Sequence, residues 1–74
     1  MKTDTSKYEN SHGKKPRGRG KWAFELTGTD GNGKYTSGTY SANGTLSQAR
    51  ADSVRNFRSE VGGVKEVVEA VVLP

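Results

Sequence analysis

The chain contains no cysteine and only one histidine, His12, which lies among polar residues. A disulfide framework is therefore excluded, and so is a zinc site built from cysteine and histidine. Long hydrophobic runs are also missing. Residues 1–21 contain no apolar run that could form the core of a signal peptide, and the longest later run, at residues 70–73, is far too short to span a membrane. These absences predict a soluble, cytoplasmic protein with no membrane partner, no metal and no other cofactor.

The short length limits the possible functions as well. With 74 residues, of which 30% are hydrophobic, the chain can form one domain at most, and the core of that domain must be small. Catalysis requires a cleft that excludes water and shifts the pKa of acid and base groups. So small a core leaves little room for such a cleft, and Ser37 and Ser41 have no neighbouring base. We therefore predict that the protein is not an enzyme and has no small-molecule substrate.

Positive charge is concentrated near the N-terminus. Residues 1–21 contain seven basic and two acidic side chains, whereas residues 22–74 contain five basic and six acidic ones. Five of the N-terminal cations fall within eight residues, at Lys14, Lys15, Arg17, Arg19 and Lys21. Cations at this density are typical of segments that follow a phosphate backbone and displace its counterions.

The same segment has few residues that could form a core. Residues 1–20 are dominated by lysine, serine, threonine, asparagine and glycine, and such a composition predicts a disordered arm. Pro16 and the neighbouring glycines should keep its backbone extended. The arm could bind nucleic acid, or it could be a solvated tail that only keeps a small protein soluble.

A folded unit is predicted to begin at residue 21. Trp22, Phe24 and Leu26 alternate with smaller or polar residues, which is the period of a strand with one buried face. The glycine-rich residues 28–33 predict a turn, and residues 34–41 predict the second strand of a hairpin.

A helix and a third strand are predicted after the hairpin. Thr45 and Gln48 have the spacing of a capping box, and apolar residues recur at intervals of three and four until about Val61. Gly62 and Gly63 are then predicted to end the helix. Five valines in nine residues disfavour a helix beyond this point, so residues 64–74 are predicted to form a strand.

The predicted fold class is therefore α+β, with a single β-β-α-β domain at residues 21–74 behind a disordered basic arm. A right-handed crossover makes the third strand parallel to the second and places the first strand in the centre, in the spatial order 2-1-3. The one helix covers one face of this three-stranded sheet, and the other face stays open. In this arrangement the third strand lies at an edge.

Three short motifs resemble a known family. They are Gly20-Lys21-Trp22-Ala23-Phe24-Glu25-Leu26, Gly38-Thr39-Tyr40 and Ala49-Arg50-Ala51. Over about residues 17–58 they are similar to the plant AP2/ERF DNA-binding domain and, more loosely, to the arm-binding domain of tyrosine recombinases. The resemblance implies a three-stranded sheet that lies in the major groove of DNA.

The resemblance also implies roles for individual residues. Arg17 and Arg19 would correspond to the basic residues ahead of the central strand, Lys21 and Trp22 to the opening of that strand, and Glu25 to its acidic position. The chain departs from the family at three points. Thr27 stands where the plant family tends to have an arginine, no strand is evident before the Gly-Lys-Trp run, and residues 64–74 have no counterpart.

Two functions are compatible with these features. The favoured one is a small nucleic-acid-binding accessory protein with duplex DNA as its expected ligand, in which the arm supplies electrostatic affinity and the open sheet face supplies contacts. Its expected contact residues are Lys14, Lys15, Arg17, Arg19, Lys21, Lys34, Tyr35 and Tyr40. The alternative is a protein-interaction or structural module that associates through its open sheet face or its C-terminal edge strand, and that forms a weak homodimer.

Overall fold

The computed structural model describes all 74 residues as two helices and four strands. In chain order these are β1 (Lys2–Asp4), α1 (Ser6–His12), β2 (Arg19–Thr29), β3 (Tyr35–Thr45), α2 (Leu46–Glu60) and β4 (Glu66–Val72). The strands form one mixed sheet in the order β1-β4-β2-β3. The predicted α+β class is confirmed. Neither helix has the length and apolar composition needed to cross a bilayer.

The three predicted strands and the long helix correspond to β2, β3, β4 and α2. β2 is central because it pairs antiparallel with β3 on one side and with β4 on the other, which confirms the predicted order of these three strands. The start of α2 is also as predicted. The Thr45 hydroxyl accepts a hydrogen bond from the Gln48 backbone N–H at 3.2 Å, and the Gln48 side-chain oxygen accepts one from the Thr45 N–H at 3.0 Å.

The N-terminal segment differs from the predicted disordered arm of residues 1–20. β1 pairs in parallel with β4, and α1 follows it directly. The Tyr8 ring of α1 lies 5.4 Å from the Trp22 ring, centroid to centroid, and packs against the core. The sheet therefore has a fourth strand, and a second helix supports one end of the core.

β4 is not an edge strand, contrary to the prediction. β2 lies along one side of it, and β1 pairs with Glu69, Ala70 and Val71 on the other side. The free edges of the sheet are β1 and β3. The expected association of two copies through residues 64–74 would therefore have only the unpaired edge of residues 66–68 to use, which is shorter than β3.

The core lies between α2 and one face of the sheet. Ala49, Ser53 and Phe57 form the buried stripe of α2, as residues four apart on a helix do. The sheet contributes the other buried hydrophobic side chains of this cluster: Trp22, Phe24, Leu26, Val67, Ala70 and Val72.

Gly28 allows α2 and the loop after it to approach the sheet closely. The pairing of β2 with β4 shifts register between Thr27 and Gly28. A Cβ atom on Gly28 would lie 2.7 Å from Val64 Cγ1, which is too close for two carbon atoms, and 3.0 Å from Phe57 Cε2, which is tighter than most contacts. The glycine thus belongs to a buried strand, and the turn that was predicted to start at residue 28 begins only at Asp30, after the end of β2.

Two substitutions on the buried stripe of α2 should have different effects. Phe57→Ala should lower the free energy of unfolding by about 3 to 5 kcal/mol, because it opens a cavity in a very small core. Ser53→Ala should leave the free energy of unfolding unchanged or raise it by about 1 kcal/mol. The reason is that the buried Ser53 hydroxyl has no hydrogen-bond partner, so its removal loses no hydrogen bond. Thermal and urea unfolding measure both. Wild-type stability in Phe57→Ala would show that the core lies elsewhere.

Candidate nucleic-acid interface

The strand register separates the two expected tyrosine contacts. Tyr35 lies opposite Thr29 on the open face, and its side chain is 64% exposed. Tyr40 lies opposite Phe24, on the face that α2 covers. Its ring is 5.4 Å from the Phe57 ring, centroid to centroid. Tyr40 therefore lies at the margin of the core, on the opposite face of the sheet from Tyr35.

The surroundings of Tyr40 also affect its ionisation. Burial raises the pKa of the Tyr40 hydroxyl above its ordinary value of 10.0, and the nearby Glu60 carboxylate adds to the increase. The folded state thus holds this proton more tightly than the unfolded state does. The resulting contribution to stability is present below pH 10.0 and is lost as the pH rises through the raised pKa.

The open face of the sheet carries charges of both signs. Thr3 accepts a hydrogen bond from Arg50 of α2 at 2.9 Å, so its neighbours in β1 face the opposite, open side. The strand register adds further charged residues to that side. Its acidic members are Asp4, Glu25, Glu66 and Glu69, and its basic members are Lys2, Arg19 and Lys21. Acidic groups thus occupy the middle of the face, where they would repel the phosphates of a duplex.

The dense group of cations lies at one end of the sheet. We call residues 14–21 the basic end; it comprises the loop after α1 and the start of β2. All five of its cations are exposed: Lys14, Lys15, Arg17, Arg19 and Lys21. None of them takes part in a salt bridge, because the one salt bridge of the protein joins Arg55 to Asp52 at 3.1 Å. The basic end therefore keeps its full charge for an external anion.

Lys34 and Tyr35 lie at the opposite end. They follow the far end of β2, which is 11 residues long, so they are separated from Arg19 by about 33 Å at the usual rise of a strand. The molecule is 38 Å in its longest dimension. Of the eight expected contact residues, the structure brings Arg17, Arg19 and Lys21 to one groove. Lys14 and Lys15 lie in the loop that leads to it, and Lys34, Tyr35 and Tyr40 lie elsewhere.

An open groove of about 460 Å³ lies against the basic end. Its cationic residues are Arg17, Arg19 and Lys21, and its rings are Tyr8, His12 and Trp22. One wall is apolar, because Ala23 and Leu73 line it. The Leu73 backbone N–H donates a hydrogen bond to the Ala23 carbonyl at 2.9 Å, which holds the chain beyond β4 alongside the start of β2.

Sequence reasoning missed Tyr8 and His12 as site residues. Two signals could have indicated them. The rings are four residues apart, the spacing that brings side chains together on a helix. Asp4, Thr5 and Ser6 precede them, and acidic and hydroxyl residues of this kind are typical of helix starts. In the structure Asp4 accepts hydrogen bonds from the Ser6 N–H at 2.9 Å and from the Ser6 hydroxyl at 2.6 Å.

Comparisons with protein-family models, with curated proteins and with solved structures found no match to the chain. The resemblance to AP2/ERF and recombinase arm-binding domains therefore stays a prediction.

The position of Tyr40 can be tested by titration. Glu60→Gln should lower the pKa of Tyr40 toward its ordinary value of 10.0, because the substitution removes the carboxylate that disfavours the phenolate. The Cζ chemical shift of Tyr40, followed by NMR across alkaline pH, reports this pKa. Ser59→Ala, an exposed neighbour on α2, is the matched control. An unchanged Tyr40 titration in Glu60→Gln would contradict the described placement.

Proposed function

We propose that the protein is a non-enzymatic nucleic-acid-binding protein and that its basic end is the phosphate-binding surface. The observation that carries this proposal is the presence of five exposed cations within eight residues, none of them in a salt bridge. Each cation that neutralises a phosphate releases condensed counterions, and this release supplies affinity without sequence specificity.

The folded N-terminal segment supports this proposal over a solubilising tail. The loop that contains Lys14, Lys15 and Arg17 is bounded by α1 on one side and by β2 on the other. Cations held in this way lose less conformational entropy on binding than cations on a free tail. Arg17 of this loop also lines one groove with Arg19 and Lys21 of β2.

Duplex DNA docked on the open sheet face is not part of the proposal. That docking was expected from the resemblance, but Glu25 and Glu69 lie in the middle of the face and would meet the phosphate backbone. The same carboxylates lie on an open surface without a cleft that would exclude water, which supports a binding role over catalysis. The proposed phosphate contacts are therefore confined to the basic end.

Two matched double variants test which end binds. Arg17→Gln/Lys21→Gln should weaken binding to nucleic acid and make the slope of log affinity against log salt about 2 units less steep than the wild-type value of about −4 to −5 on duplex DNA. Lys34→Gln/Lys65→Gln removes the same charge near the opposite end and should leave this slope unchanged. Fluorescence anisotropy of labelled DNA at several salt concentrations measures both. Equal losses in the two variants would show that only net charge matters, and no binding at low salt would refute the proposal.

A second candidate function is self-association through β3. This edge strand is 11 residues long and contains no charged residue and no proline, whereas natural edge strands are usually guarded by such residues. A second copy could pair its own β3 antiparallel about a two-fold axis without opposing any like charges. The interaction module and the weak homodimer predicted from sequence would then use β3 in place of β4.

Sedimentation velocity over a range of concentrations tests this candidate. We expect a monomer–dimer equilibrium for the wild type. Thr39→Lys should shift it to monomer, because the substitution adds a cation to the exposed edge of each copy. Lys21→Gln, which leaves β3 unchanged, should dimerise like the wild type. A strict monomer at millimolar concentration would exclude the β3 dimer.

A further inference from the structure

We infer that the groove beside the basic end binds an unpaired nucleotide, with its base on the stacked rings of Tyr8 and His12 and its phosphates on the cations of the basic end. This inference rests on the proposed function and specifies its ligand as single-stranded nucleic acid.

The two rings form a platform that is fixed at one end and open at the other. The Tyr8 and His12 ring centroids are 4.1 Å apart, and the ring planes are inclined by only 18°. Tyr8 is half-buried and packs on Trp22, whereas His12 is exposed to solvent. A base that stacks on this pair would extend an existing stack without first ordering a side chain. Base stacking on such platforms is the common means of binding single strands, and it tolerates any base.

The cations needed for the phosphates line the same groove. Arg17, Arg19 and Lys21 share its lining with Tyr8 and His12, and no acidic residue does. A bound strand could therefore place a base and its flanking phosphates on neighbouring groups at the same time. The other cavity of the protein, of about 260 Å³, is lined by both Asp30 and Lys34 and has no aromatic residue, so it offers neither feature.

The size and the chemistry of the groove favour an unpaired base over a duplex. Its volume of about 460 Å³ falls within the range typical of small-ligand sites. The bases of a duplex are stacked and paired inside the helix, so they could reach the rings only after they are unstacked and flipped out. A single strand presents its bases without that cost.

Binding of labelled oligothymidine, oligouridine and a duplex of equal length tests the inference, and the first two distinguish DNA from RNA. We expect single strands to bind more tightly than the duplex at the same salt concentration. His12→Ala should weaken single-strand binding about 5- to 100-fold, with little change in the salt slope, because stacking releases no counterions. Asn10→Ala, an exposed position on the same helix, should bind like the wild type. His12→Phe should restore binding, because the ring and not the charge is required.

A second readout locates the ligand. Trp22 is the only tryptophan of the chain and lines the groove, so occupation of the groove should change its emission, and the duplex should change it less. Thermal unfolding confirms that each variant is folded. Equal affinity for single strands and duplex, together with equal affinities of His12→Ala and Asn10→Ala, would overturn this inference and leave the proposed function standing. If the wild type bound none of the three ligands, both this inference and the proposed function would be overturned.

Discussion

The contact between Tyr8 and Trp22 packs α1 against the core, and the positions of His12 and of the loop that carries Lys14, Lys15 and Arg17 depend on it. Trp22 is only 7% exposed and belongs to the central strand, so it provides a rigid support for the Tyr8 ring. This contact holds α1 against the beginning of β2. The loop of the basic end is then fixed at both of its ends, and the His12 ring is held beside the cations.

Much of the fold can be predicted from the sequence because the longer elements contain complete patterns. β2 shows its alternation at Trp22, Phe24 and Leu26, and α2 shows both a capping box and a buried stripe. β1 has only three residues, which is too short for any period to be visible. It is ordered by pairing with β4, a strand more than 60 residues further along the chain, and a local pattern carries no signal for such a contact. Its pairing also removes β4 from the edge, where sequence reasoning had placed it.

The site was less predictable than the fold, and for two different reasons. The cations of the basic end are evident from composition alone, but the groove beside them forms only when α1 folds back onto Trp22. Tyr35 and Tyr40 are a different case. Successive side chains of a strand alternate between its faces, so an odd-numbered and an even-numbered residue of β3 cannot both face the same side. The sequence therefore contained enough information to separate these two tyrosines.

Order in the N-terminal segment is the most direct test of this account. NMR on the full chain should show nuclear Overhauser effects between the ring protons of Tyr8 and Trp22. Backbone order parameters across residues 2–12 should be about 0.85, the value of rigid structure, and should match those of β2. Order parameters below about 0.6 in this segment, with no Overhauser effects between the two rings, would mean that the basic end is attached to a flexible arm, and they would contradict the account.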